Sequence, residues 1–472
     1  MKNHWQVSKF LPLQKIFSPK QLNFLSYYYH KINSKIIERY EVNNPTKLYK
    51  FHLLKGEENQ ARLKEVIGLE SDLLDTSVLK DSFGNYFKDV DGNDVLDMTM
   101  NNGFNVFGYN PRSIITKTRL QAFEQYVVNS FNTTSSLEYA ADLRELNKLA
   151  PTDVEQVHLS PNDESAIEEA VRLACLSYIT SNNSNTESFK IITLEGGNYQ
   201  SANTISAEFP EINYPYIENQ VSNLEEEERC INNLIETIKE NKSNGFIIPA
   251  MVIEPIQYKA GVRYASQSYY RKIQKICQEE NIKLIIDETY TCGWVTGRPF
   301  AFYDWCSNLV PDIVVFGGRM QLSGFFHKRN IIDLEELEAK NYRFNFRSQP
   351  DSAKLNYLLY LNQEVYKRDW LDLHASDFIG SIVSELKEVS KVTPFKITNV
   401  RGKGKLFAFD VDHKLVRDEL IYLARKSGIK VQGMGENSIV FSPCLYFTEI
   451  HFTYFKKFLK SAKPTSLYLS KI

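Results

Sequence analysis

Two carboxylates in tandem, Asp287 and Glu288, close the apolar run Leu284-Ile285-Ile286. Further along, a second run, Ile313-Val314-Val315-Phe316, ends on Gly317, Gly318 and Arg319. Short apolar runs of this kind predict buried strands. Open α/β sheets hold their ligands at the carboxyl ends of such strands, so two neighbouring strand ends and a glycine turn predict a pocket with acids on its floor. Asp287 has two possible roles: contact with a ligand, or a cap on the turn that follows.

The elements that must position these groups lie on either side. MVIEPIQYKAG, 251–261, reads as a strand that delivers Glu254 to the same edge. Ser266–Gln278 reads as the helix before the Asp287 strand. VHLSPNDESAIEEAVRLACLSY, 157–178, reads as a short strand running into an amphipathic helix, with Ala166, Ile167, Ala170, Val171 and Ala174 at helical spacing. Pro161 suits its first turn, and Asn162 or Asp163 can cap it. Ile191–Leu194 is another strand, and Leu355 to Arg368 a long helix. Asp91-Gly92-Asn93 predicts a tight hairpin turn, flanked by Tyr86, Val90, Val95 and Leu96.

The chain has 472 residues, 43% of them hydrophobic and 24% charged, with a formal net charge of −2. These values predict a soluble globular protein and argue against a nucleic-acid binder. The six cysteines, Cys175, Cys230, Cys277, Cys292, Cys306 and Cys444, form no CxxC pair, so they offer no zinc or cluster spacing and fit a reducing compartment. No apolar run approaches the ~20 residues of a membrane span. The longest, FIIPAMVI at 246–253, stops at Glu254. Lys2, Lys9, Lys15, Lys20, Lys31, Lys35 and Arg39 face a single acid, Glu38, in the first forty residues. This bias reads as a mitochondrial targeting segment or as a basic surface extension. Phe24, Leu25 and Tyr27–Tyr29 add an aromatic patch, suited either to a partner surface or to folding back on the core.

Residues 284–328 resemble the class III aminotransferases, and most of all their 4-aminobutyrate members, which read DEVQTGGG.TGKFWAHEHW and then FSKKMMTGGFFHK. Asp287, Thr291, Thr296-Gly297, Ala301, Trp305 and Gly324–Lys328 align. Weaker likeness runs over about residues 80–465. The resemblance implies an α/β protein of the pyridoxal-phosphate-dependent transferase fold type I, with a large, mostly parallel-sheet domain and a small α+β domain. Residues 1–55 would be an N-terminal extension, 56–115 the first part of the small domain, 116–350 the large domain, and 351–472 the interdomain helix and C-terminal small domain. It also implies a dimer, an aspartate on the cofactor's pyridinium nitrogen, backbone N–H groups around its phosphate, and a lysine forming the Schiff base.

At the positions that this family uses for chemistry, the chain departs from it. The first lysine of FSKK is Gly318, and Arg319 cannot replace it, because a guanidinium with a pKa above ~12 is not a nucleophile. In the phosphate turn the glycine is Leu159, Ser160 remains, and Pro161 has no N–H to donate. Asn198, Tyr199, Gln200 and Ser201 stand at the stacking aromatic and at HGR. Lys259 replaces an acid, Tyr290 a glutamine, Trp294 a glycine at the pocket entrance or dimer seam, and Phe346 the cross-dimer threonine. Val440 and Ser442 stand at the two arginines near the substrate carboxylate.

These departures predict no catalytic residue, no metal and no bound cofactor, with Asp287 and Ser160 as vestiges of the cofactor site. The resulting expectation is a catalytically inactive protein, not an enzyme, serving as an accessory or structural subunit of a larger assembly in the mitochondrial matrix or on the matrix side of the inner membrane. Its expected partners are a second copy or a related aminotransferase-like chain, and other subunits reached through residues 1–55, with no nucleic acid and no transmembrane segment. Two alternatives stand beside this: an enzyme that transaminates with pyridoxal phosphate or binds it non-covalently, and a metabolite sensor that uses the old pocket.

Overall fold

The computed structural model describes residues 81–89, 92–111, 114, 137–182, 188–305, 310–332, 352–367 and 377–464, all within the unit Leu48–Ile472. The aromatic run and basic residues of 1–55, together with Cys306 and Phe346, lie outside the described residues.

The elements run β1 (Tyr86–Lys88), β2 (Asp94–Asp97), α1 (Leu137–Asn147), β3 (Gln156–Ser160), α2 (Asp163–Asn182), β4 (Phe189–Leu194), β5 (Thr204–Ala207), α3 (Gln220–Ser243), β6 (Ile247–Ile253), α4 (Gln267–Glu279), β7 (Lys283–Asp287), β8 (Ile313–Phe316) and β9 (Ser323–His327). They continue with α5 (Ser352–Lys367), α6 (Asp377–Ser390), β10 (Thr398–Lys403), β11 (Leu406–Asp410), α7 (Lys414–Lys426), β12 (Ile429–Lys430), β13 (Gln432–Met434), β14 (Ser438–Phe441) and α8 (Glu449–Ser461).

Local chemistry sets the boundaries. In the β1–β2 hairpin Phe87 faces Val95, and Gly92 takes a φ of +83°, as the turn requires. Asn93 is held instead by Asp89, whose carboxylate accepts from the Asn93 backbone N–H at 2.8 Å and from its side-chain amide at 3.0 Å. Ser266 precedes α4 and accepts from the Tyr269 N–H, the arrangement of an N-cap. At the start of α2 the cap is Asn162, which accepts from the Ser165 N–H at 2.8 Å. That leaves the Asp163 side chain free to turn toward the sheet.

Seven strands form one sheet in the order β3-β9-β8-β7-β6-β4-β5. β5, β4, β6, β7 and β8 are parallel. β9 runs antiparallel to both β8 and β3, which gives β3 the direction of β8. One edge of the sheet therefore gathers the carboxyl ends of β3, β4, β6, β7 and β8 with the amino end of β9. β7 and β8 are apolar on both faces, as buried parallel strands must be. The alanines of α2, Ala166, Ala170 and Ala174, bring that helix close to one face, where they pack with Ile191, Val252, Ile285 and Val315.

Two smaller sheets follow, β1-β2-β12 and the antiparallel β10-β11-β14-β13. Their shared core is phenylalanine-rich: Phe407 and Phe441 face each other across β11 and β14 with ring centroids 4.5 Å apart and planes within 7°.

Candidate functional site at the strand ends

Asp287 is the last residue of β7 and is almost wholly buried. Its Oδ1 accepts from the Thr289 N–H at 3.0 Å and from the Thr289 hydroxyl at 2.7 Å, so it caps the turn that follows β7. Burial raises its pKa against the pull of these two hydrogen bonds. On the neighbouring strand Glu254 lies just past β6, and its Oε1 accepts from the Asn198 N–H at 2.5 Å. Burial, and then the nearby Asp287 charge, push Glu254 up to about 8, so it carries a proton at neutral pH. Glu288 fixes the loop beyond β7 by accepting from the Thr291 hydroxyl and from the N–H groups of Ala301 and Phe302. Burial brings it to about 7.

Ser160 ends β3 at the same edge. Its hydroxyl donates to the Glu169 carboxylate, whose Oε2 also lies 2.9 Å from His158 Nε2. Beyond it, Asp163 turns back across the sheet edge, and both of its oxygens accept from the Gly318 N–H, at 2.9 and 3.1 Å. Its Oδ1 also accepts from the Ser323 hydroxyl at 2.6 Å. A carboxylate in the first turn of α2 sits where the helix dipole favours an anion.

Gly318 follows β8 and faces the Phe104 ring. A Cβ built on Gly318 would lie 2.2 Å from Phe104 Cε1. Phe104 stacks on Tyr290, with centroids 5.8 Å apart, and Tyr290 stacks on Tyr258 at 5.2 Å. Lys259, in the place of the motif's acid, sets its ammonium 5.2 Å above the Tyr290 ring. Arg319 is fully buried and donates from Nη1 to the Ser442 hydroxyl at 2.7 Å. Burial lowers its pKa to about 10, and it remains charged at neutral pH.

Of the other positions singled out in the sequence, Tyr199 packs with Ala170, Ile191 and Val252, and Ser201 is exposed. Val440 is buried with Tyr258 and Leu406. Lys328 pairs with Asp312 at 2.9 Å, at the far end of β8. Trp294, expected at the pocket entrance or a dimer seam, instead lies inside the core of the large sheet. Its φ of +62° is the left-handed conformation that a glycine takes freely. Phe104 was not foreseen, although Asn101-Asn102-Gly103 before it are residues that tolerate left-handed backbone.

These residues do not fit a phosphorylated pyridine aldehyde bound through an imine. Position 318 has no amine, and Phe104 fills the space that a side chain there would need. The first turn of α2 carries a carboxylate of its own, Asp163, turned onto the Gly318 N–H. The cavity beside Glu254, lined by Thr193, Gly197, Tyr199 and Gln257, measures about 10 Å³, room for one water. Among the described residues no His, Cys, Asp and Glu group could hold a metal ion, and no helix is long and apolar enough to cross a membrane.

Comparison with known proteins brings in relatives. The sequence profile described as aminotransferase class-III matches residues 71–462. Mouse and human proteins named 4-aminobutyrate aminotransferase, mitochondrial, are each 29% identical over 245 residues, 52% of this chain. The match spans about half the length of those relatives, 48%. A Dictyostelium discoideum protein named 4-aminobutyrate aminotransferase, without a stated compartment, is 26% identical over 417 residues, covering 79% of this chain and 82% of its own. The fold is that of a lysine aminotransferase from M. tuberculosis, with a TM-score of 0.71 at 18% identity over 86% of this chain and 99% of that one. These are names of enzymes, and they overturn the expectation that the chain stands outside enzyme chemistry: its kin are aminotransferases.

Proposed function

This chain belongs to the class III aminotransferase family, and on that premise we propose that it serves as an accessory subunit of a larger mitochondrial protein assembly, using the family's fold as its scaffold. The observation that supports the reading is a contrast. The chain shares the fold of its structural neighbours, while at the strand ends of its own seven-stranded sheet its side chains hold one another: Asp163 on Gly318, Phe104 on Tyr290, Arg319 on Ser442. The mitochondrial names of the mouse and human relatives support the compartment. Within this reading residues 1–55 are the contact segment, 116–350 and 351–472 carry the large domain and the C-terminal small domain, and the second subunit of the dimer is a copy or a related chain. Asp287 and Ser160 are inherited cofactor positions that now serve structure.

Native electrophoresis of mitochondria with a tagged chain, followed by cross-linking mass spectrometry, tests it. Co-migration with other proteins, cross-linked through residues 1–55, is the expected result. Migration as a free dimer alone refutes it.

A second reading rests on the relatives' names: transfer of the amino group of an ω-amino acid such as 4-aminobutyrate to a 2-oxo acid. Turnover of that pair by the purified chain with added pyridoxal phosphate, abolished by a cleft substitution, would replace the assembly reading.

A further inference from the structure

We propose that Phe104 and Asp163 form a built-in occupant of the strand-end cleft, and that Gly318 is the residue whose missing side chain makes room for it. The inference concerns the cleft alone and does not depend on the accessory role.

The loop that carries Phe104 is shaped for delivery. Met100, Asn101, Asn102 and Gly103 all have positive φ, at 44°, 53°, 58° and 80°. Left-handed backbone at successive non-glycine residues is strained and persists only where the surroundings over-determine it. Here they do. The Asp97 Oδ1 accepts from the Thr99 N–H at 2.7 Å, the Thr99 hydroxyl at 2.7 Å and the Met100 N–H at 2.9 Å, while Oδ2 accepts from the Tyr109 hydroxyl at 2.7 Å. At the other end of the loop, Gln321 donates from Nε2 to the Phe104 carbonyl at 2.6 Å and to the Gly318 carbonyl at 3.1 Å. One side chain thus ties the plug to the turn it fills.

The steric test is direct. A Cβ at position 318 would meet Phe104 Cε1, Cζ and Cδ1 at 2.2, 2.4 and 2.7 Å, contacts that no folded side chain sustains. A side chain at 318 therefore requires the half-buried ring at 104 to move out of its place. Asp163, itself in the first turn of α2, completes the closure by accepting from the N–H of the same Gly318. By the family resemblance those two places are the ones that a Schiff-base lysine and a phosphate would need.

The test is a double-variant cycle in the full chain: Gly318→Lys, Phe104→Ala, and both together. Thermal unfolding is read first, then incubation with pyridoxal 5′-phosphate, borohydride reduction and peptide mass mapping of position 318. Gly318→Lys alone is expected to lower Tm by about 5 °C or more and to take no adduct at 318. Adding Phe104→Ala should recover most of that loss and allow the adduct. The proposal is overturned if Gly318→Lys keeps the wild-type Tm, if the second substitution brings no recovery, or if a recovered double variant still takes no adduct. Should the lysine variant fail to fold, Gly318→Ala with Phe104→Leu runs the same cycle on Tm with smaller groups, and additive losses there overturn it.

Discussion

The Arg319 guanidinium meets the Ser442 hydroxyl at 2.7 Å, deep in the protein, and no carboxylate among the described residues pairs with it. Its Nε and Nη2 have no hydrogen-bond partner among the described residues. In the motif that residues 438–442 resemble, position 442 is an arginine, so the positive charge now enters the same neighbourhood from the turn after β8. The backbone has yielded to it: a Cβ on Gly103 would fall 1.5 Å from Arg319 Nη1.

A buried cation without a counter-charge costs stability, and replacing it with an apolar group of like volume is commonly neutral or stabilising by about 1–4 kcal/mol. Arg319→Met is therefore expected to raise the urea midpoint of the purified chain. A loss of more than about 2 kcal/mol would instead mean that a partner neutralises the guanidinium.

The pH dependence of stability is expected to carry the mark of Glu254. Its folded pKa of about 8 lies above its ordinary value of 4.5, so the folded state holds a proton that the unfolded chain releases. The contribution is complete below about pH 4.5, declines as pH rises, and is gone above about pH 8. Glu288, at about 7, acts in the same direction. Glu254→Gln keeps an oxygen for the Asn198 N–H and removes the titration. Its unfolding free energy should fall less steeply between pH 4.5 and 8 than that of the wild type, measured by urea titration at several pH values. Equal slopes would remove Glu254 as the source.

The sequence displayed the parts of this molecule that obey a period or a motif. The apolar runs became β7 and β8, the helix expected at Ser266–Gln278 became α4, and the hairpin turned at Gly92. The Asp287 position and its two possible roles were also readable, because a carboxylate at a strand end has few choices. What stayed hidden depends on neighbours far apart in the chain. Phe104 and Gly318 meet only because a left-handed loop and a strand end converge; Gly318 stood out in the sequence, but nothing near Phe104 pointed to it. Asn162 and Asp163 both read as possible helix caps; Asn162 takes that role, and what the sequence did not show is that Asp163 is thereby released toward Gly318. Trp294 was expected at the pocket entrance or a dimer seam because it stands where the family has a glycine, whereas it lies buried in the core of the large sheet.

Trp294 makes two effects compete. Its φ of +62° disfavours any residue with a Cβ by about 1–2 kcal/mol, which Trp294→Gly would relieve. The same substitution empties one of the largest fully buried side chains, a loss of about 3–5 kcal/mol. The cavity dominates, and a net destabilisation of about 2–3 kcal/mol is expected by denaturant titration. Stabilisation would show that the core closes over the space.

Asp287 separates structure from inheritance. If its work is to hold the turn, Asp287→Asn should cost less than about 1 kcal/mol, because the amide oxygen can still accept from the Thr289 N–H and hydroxyl. Asp287→Ala leaves both buried donors unpaired and should cost about 2–3 kcal/mol. The asparagine variant also removes one of the influences that raise Glu254. The folded pKa of Glu254 then moves down toward its ordinary value, so the window over which alkaline pH erodes stability narrows from its upper end. The two variants compared at pH 6 and pH 8.5 test both halves of this account. Equal losses for asparagine and alanine would mean that the negative charge itself, rather than the oxygen held by Thr289, is what the strand end requires.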